Sequence, residues 1–408
     1  MVAPIRYGHT DALRTLLEEL ALDPAGNAAV PFGRLPNVHF ARFFIMDAAY
    51  DLHAKYLEPR LVFLADVDGS TGAFLRDLVD VVGSGLDCIF EHCDGYQGNR
   101  LDFLTAHHIE AAATYVNTRG RTVSQIKQEA ALREAIESFM DGAEWRSKDP
   151  RQVRGAIQEF VHRDPSLAWA RTPPAQPDPL YVLREKLHFA AVIGAALVLL
   201  PVIAAGLPLW VYFLRQHEKA DRARDVIPSD ALVQALAAQE DHGIQNPFTS
   251  AGFVKPGPFR RFTGTLVLYG TNFLTRHVFN HANLLGVKTI HFARWLFLDD
   301  KRRVIFCSNY DGSLESYMDD FVDKIAWGLN AAFSNGVDYP KTNWLILDGA
   351  NDEQTFKRFN LTHQLVAPFW YAAYQGLTAL NIENNEQIRA GLYGYLDDAA
   401  VRAWLRRL

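Results

Sequence analysis

The chain has 408 residues, 49% hydrophobic and 22% charged, with a formal net charge of −6. That is ordinary globular make-up, long enough for two domains or one duplicated one, and with no sustained basic stripe it excludes nucleic acid as a partner. Cys88, Cys93 and Cys307 are the only cysteines, too few and odd in number for a disulfide framework, so a reducing compartment is expected.

The first residues, MVAPIRYGHT, lack the charged-then-apolar pattern of a secretory signal. A strand is expected over 2–7 and a helix over 10–22, followed by an apolar strand, Val38–Met46. A connection carrying Tyr50, His53 and Lys55 leads to a strand over 61–65. Asp68-Gly69-Ser70 then caps a helix, Thr71–Phe90. Cys88, His92 and Cys93 have no second ligand pair nearby in sequence, which favours a structural role over a metal loop. Residues 137–169 are charged and helical, and 171–179 form a stiff, Pro-rich linker.

Residues 189–214 (FAAVIGAALVLLPVIAAGLPLWVYFL) carry no charge, although roughly 20 apolar residues already span a bilayer core. Pro201 and the Gly206-Leu207-Pro208 turn should break the run into a clean helical arm over 189–200 and a shorter second arm. Arg184 and Lys186 precede it; Arg215, Lys219, Arg222 and Arg224 follow. Basic flanks tend to stay cytoplasmic, so the pattern fits a hairpin that enters and leaves one face. A single Pro-kinked span is the alternative. The body is then expected on the cytoplasmic face, gripping the membrane by the chain's middle.

Beyond this run the sequence repeats itself. His39, Phe40, Ala41, Arg42 and Asp47 recur as His291, Phe292, Ala293, Arg294 and Asp299, with one large apolar residue exchanged for another between them. Asp68-Gly69-Ser70 recurs as Asp311-Gly312-Ser313, Gly85-Leu86 as Gly328-Leu329, His107 as His363, and Tyr115 as Tyr371. In the second copy we expect a strand over 264–269 and a helix over 271–285. Next come strand Ile290–Leu298, a tight turn over 299–303, a strand over 303–307 and helix Leu314–Phe333, with a last strand over 343–347. The order β-α-β-β-α-β is the ferredoxin-like unit. The expected fold is α+β: two ferredoxin-like repeats packed face to face, with an inserted hydrophobic membrane hairpin. The segments are repeat 1 (1–136), a helical and Pro-rich linker (137–188), the membrane segment (189–214), a second linker (215–261) and repeat 2 (262–408). Val38, Phe40, Arg42, Phe44 and Met46 should share one face of their strand, and His39, Ala41, Phe43 and Ile45 the other.

On these features the chain resembles the dimeric α+β barrel superfamily, which includes dye-decolorizing peroxidases and chlorite dismutase-like haem proteins. The peroxidases' Gly-x-x-Asp-Gly signature is matched at Asp68-Gly69 and Asp311-Gly312, without its first Gly. The resemblance implies haem, with Asp68 or Asp311 as a distal catalytic group. His363 is the first choice for the axial ligand to iron, and its counterpart His107 is a further candidate. His277 and His281, one turn apart on a helix with nothing comparable in the first copy, could form a site grafted onto one half. Arg42 and Arg294, mid-strand among apolar residues, must be paired if buried. Each is either a structural ion pair, with Asp66 or Asp320, or a cation inside the barrel holding a haem propionate or a fatty carboxylate. The expected function is a membrane-associated, haem-dependent oxidoreductase acting on a lipid or other apolar substrate. The alternative is a non-catalytic lipid-binding or membrane assembly protein of the same fold. Expected partners are membrane lipid and a small-molecule or fatty substrate, with a homo-oligomer left open.

Overall fold

The structure, a computed structural model, describes residues 1–408 apart from 143, 144, 146, 147, 176, 223–225 and 281. The chain runs β1 (Val2–Pro4), α1 (Thr10–Leu20), β2 (Val38–Met46), β3 (Arg60–Val67), α2 (Thr71–Phe90), α3 (Arg100–Ala106), β4 (Ala113–Val116), α4 (Val123–Asp141) and α5 (Pro150–Arg163). Then follow α6 (Pro179–Val198), α7 (Leu200–Ala220), α8 (Asp230–Ala237), β5 (Gln245–Phe253) and α9 (Pro258–His277). The rest is β6 (Ile290–Leu298), β7 (Arg303–Asp311), α10 (Leu314–Phe333), α11 (Glu353–His363), β8 (Phe369–Ala372), α12 (Ala379–Ala390) and α13 (Asp398–Leu405).

Mixed α+β architecture is therefore present, built on two four-stranded antiparallel sheets ordered β1-β3-β2-β8 and β4-β6-β7-β5. Each sheet takes its fourth strand from the other half of the chain. Phe369 lies opposite Phe43 and Tyr371 opposite Ala41, while Ala113 lies opposite Trp295 and Tyr115 opposite Ala293.

Three expectations about strands are corrected. The first strand of the second sheet is β5, so it begins inside the stretch read as a linker. Residues 264–269 instead lie within α9, which opens on Gly257 at φ 106° and Pro258. Pro suits a first helical turn because its missing N–H is not needed there, and the β-branched run in α9 reads locally like a strand. Residues 343–347 form only a short hairpin ladder; β8 is the strand that completes a sheet. A register shift between Val38 and Phe40 also turns Val38 to the helix side, where it joins Ala41, Phe43 and Ile45. An extra residue at a bulge breaks strict alternation.

The two sheets share a core. Phe44, Met46, Val62 and Leu64 from one meet Leu296, Leu298, Ile305 and Cys307 from the other. Outside each sheet lies a helix layer. Ser70 and Ser313 cap α2 and α10 by accepting from Ala73 N and Ser316 N, as the Asp-Gly-Ser turns suggested.

The uncharged run forms the ends of α6 and α7, which meet at Leu199 with a bend of 68°. No single described helix is long and apolar enough to cross a membrane. Pro201 falls in the first turn of α7, and Pro208 sits inside that helix without ending it. The expected turn at 206–208 therefore does not form, and the second arm continues to Ala220. Around the bend Leu197, Val198, Leu200 and Val202 are all more than half exposed. The bases of both arms are tied down by polar contacts. Glu185 makes two bonds to Arg276, His188 Nδ1 lies 2.8 Å from His277 Nε2, and Asp221 joins Lys255 and Arg260. Buried Glu218 accepts from Leu345 N at 2.7 Å and from Trp344 N at 3.1 Å. An apolar tip is thus held out on a polar, well-anchored base.

Candidate functional site

An apolar opening lies in the second half, between the β4-β6-β7-β5 sheet and the helices α9, α10 and α11. It is a cavity of about 240 Å³, walled by residues such as Phe248, Leu274, Phe279, Leu285, Met318 and Trp327. Two local features make room for it. The backbone of α10 leaves helical geometry at Ile325 (φ −141°, ψ 32°), and Gly270 of α9 and Gly328 of α10 put no side chain into the space. A Cβ on Gly328 would meet only Ile325 at 3.9 Å, and one on Gly270 would meet nothing. The exposed Leu274 and Trp327 mark the rim.

Polar groups on the walls are few, and most are occupied; Trp295 Nε1 is buried without a partner among the described residues. Thr275 Oγ1 donates to Thr114 O at 2.7 Å, and Asn360 Nδ2 donates to Phe356 O at 3.0 Å. Tyr317 Oη is 2.6 Å from Ser308 Oγ, and burial pushes its phenol pKa upward. Such walls can hold an apolar ligand and offer no activated nucleophile. The same α9 carries α6 and α7 on its other flank: Phe273 stacks with Phe189, and Thr263 Oγ1 accepts from Trp210 Nε1. Cavity and apolar tip therefore share one helix.

The residues singled out in the sequence lie elsewhere. Arg42, 3% exposed, donates to Phe248 O, Thr249 Oγ1, Ser308 O and Asn309 Oδ1, all neutral. Burial lowers its pKa. Arg294 pairs with Asp66, as one expectation had it, whereas Asp320 pairs with Lys324. Asp68 and Asp311 are brought into matching settings. Asp68 bonds His39 Nε2 through one oxygen and accepts from Val123 N at the start of α4 with the other. Asp311 does the same with His291 Nε2 and Ala379 N at the start of α12. Both carboxylates lock a strand to a helix start, with each oxygen engaged in one hydrogen bond.

His107 and His363 are likewise a matched pair. Each donates Nδ1–H to the carbonyl four residues earlier, Phe103 or Phe359, and each ring lies 4.3 Å from that phenylalanine's ring. His277 faces His188 and Glu185 at the base of α6; His281 lies outside the described residues. Among the described residues no group of three or more His, Cys, Asp or Glu could hold a metal ion.

Haem needs an axial ligand on the wall of a slot wide enough for the macrocycle. The cavity walls hold no histidine or cysteine, and His363 faces a separate void of about 40 Å³ beside Gly252. Between the sheets, next to Arg42, the free space is about 10 Å³, enough for one water. None of the described histidines singled out as a ligand, His107, His277 or His363, lines an opening of about 240 Å³ or more, so these residues do not fit the group. The residues that sequence reasoning missed are the cavity walls. Gly328 was visible as the partner of Gly85, but a glycine does not announce whether its neighbour is a packed loop or a void. No family model, curated protein or solved structure matches this chain.

Proposed function

We propose that the protein is a membrane-surface lipid-binding protein that takes an apolar chain from one leaflet into the cavity between α9, α10 and their sheet. In this reading the body is two ferredoxin-like repeats, face to face, that exchange their last strands. The bent α6–α7 pair dips into the membrane and returns to the same side, which keeps both repeats together. The body then lies on the cytoplasmic face, where basic flanks favour it. The observation that carries the reading is the shared wall: α9 bears the cavity on one flank and the exposed apolar tip on the other. At about 240 Å³ the cavity exceeds the ~150 Å³ that holds a benzene-sized guest and falls below the usual range for drug-sized ligands. That suits one slender chain. The walls carry no titratable group other than the buried Tyr317 phenol, which favours binding over chemistry.

Two measurements test this. Wild-type protein should float with phosphatidylcholine vesicles, and Leu200→Glu with Val202→Glu should stay behind. The neutral rod diphenylhexatriene should fluoresce in wild-type protein and lose that signal in Gly328→Phe. A Soret band in the purified protein, or probe binding unchanged by Gly328→Phe, would sink the reading.

A further inference from the structure

The first half holds a second opening that the lipid reading does not use. It is about 250 Å³, with a mixed lining: Phe63, Leu64, Phe74, Leu75 and Leu104 on the apolar side, and Met1 (through its terminal amine), Thr71 and His108 among the polar members. Into it, from the opposite sheet, reaches Arg294 of β6. The opening follows from the length of β1, which pairs only with Arg60, Leu61 and Val62, with Met1 and Phe63 exchanging bonds beyond them. Among the described residues no strand pairs with the rest of β3 on that side, whereas β5 covers the whole of β7. Phe63 points its backbone groups toward that edge, so by strand alternation the N–H of Ala65 does too.

Charge singles this opening out. The space between the sheets holds two guanidinium groups, Arg42 and Arg294, and one carboxylate, Asp66. Asp66 spends one oxygen on Arg294 and the other on Asn309. Arg42 is bonded to neutral acceptors only. The cluster therefore carries one uncompensated positive charge out of bulk water, which is costly unless an anion balances it. Arg294 makes one bond, through Nη2, and among the described residues its Nε and Nη1 have no partner. Its side chain is 25% exposed and lines the cavity. A fork with free donors in a pocket with one apolar side is the geometry that takes a carboxylate with a short aliphatic tail.

We propose that this cavity binds a small aliphatic carboxylate, its tail among Phe63, Phe74, Leu75 and Leu104 and its anionic head on Arg294. The Ala65 N–H is a second donor for the head. The site is independent of the lipid cavity and of the membrane-binding tip.

The test is calorimetric titration of the full chain with hexanoate, with 1-hexanol as the neutral control. Wild-type protein and Gly328→Phe should bind hexanoate alike, and hexanol at least tenfold more weakly. Arg294→Gln and Leu75→Trp should each weaken hexanoate at least tenfold. Leu75→Trp fills the pocket near its rim while leaving the Asp66 pair intact, so it holds the test open if Arg294→Gln misfolds. Hexanol binding as well as hexanoate, unchanged binding in Leu75→Trp, loss of binding in Gly328→Phe, or no heat up to millimolar hexanoate would each overturn the proposal.

Discussion

The two helix layers differ in what fills the space beside Gly85 and Gly328, and the difference lies in one loop. In the first half, residues 21–37 fold inward between α1 and β2. Phe32, fully buried, packs against Phe43, Phe63, Phe369 and Tyr371. In the second half the shorter stretch 278–289 joins α9 to β6, and Leu284, Leu285 and Phe279 line a void instead. The glycine pair records the same contrast. A Cβ on Gly85 would overlap the Ala29 carbonyl of the inward loop, while Gly328 faces open space. The connection between the first helix and the second strand of each sheet thus decides whether the space beside Gly85 or Gly328 is plugged or open.

The widest gap should come from deleting the plug. Phe32→Ala should cost about 3–5 kcal/mol, as large-to-small changes in tight cores do. Phe279→Ala, which enlarges an existing cavity, should cost less than about 1.5 kcal/mol, since little contact is lost. Urea midpoints measure both, and equal losses would mean that the second layer is as tightly filled as the first. Next in size is the glycine pair. Gly85→Ala forces the 21–37 loop off α2, for about 1–3 kcal/mol of overpacking. Gly328→Ala should be neutral or stabilising, because Ala also suits a helix better than Gly.

How much of this was legible depends on the range of the interaction that decides it. Helix starts at Ser70 and Ser313 are local, and the turn residues announced them. The pairing of Tyr115 with Tyr371 was visible as self-similarity, yet which sheet each strand joins is a long-range choice that periodicity does not encode. Strand β5 hid behind Asn246, Pro247 and Gly252, poor strand formers that an edge position tolerates. Residues 264–269 misled in the opposite direction. Away from the candidate site, Arg42, Arg294, Asp68 and Asp311 stood out because charge among apolar residues is conspicuous in a sequence. The cavity did not, since a void is defined by side chains that are absent.

Matched polar pairs sharpen the comparison further. Asp311 and Asp68 make the same two contacts, but their side chains are 7% and 21% exposed. Removing the charge should therefore hurt more where water is further away. Asp311→Asn is expected to cost about 2 kcal/mol and Asp68→Asn about 1 kcal/mol, read again from urea midpoints. Equal activity or stability losses with a catalytic phenotype confined to one of them would point back to a distal-acid role.

The smallest expected effect separates two histidine pairs, one in each half. His9 and His92 bring their Nδ1 atoms within 3.2 Å, and His188 Nδ1 lies 2.8 Å from His277 Nε2. His92 and His277 are both held below the usual imidazole range, first by burial. For His277, Glu185 opposes the shift while His188, Arg276 and Arg119 add to it. For His92, His9 and Arg6 add and Glu91 opposes. A histidine with a lowered folded pKa binds fewer protons than in the unfolded chain. Its share of stability is therefore intact above about pH 6.5 and lost as pH falls through the window below it. His92→Gln and His277→Gln should each flatten that acid-side decline in urea stability. Only His277→Gln should also flatten a decline in vesicle flotation, because His277 ties α6, and with it the apolar tip, to α9. If both substitutions change flotation alike, the tip is not held by the α6–α9 contact, and the link between membrane binding and the cavity wall has to be drawn through α7 instead.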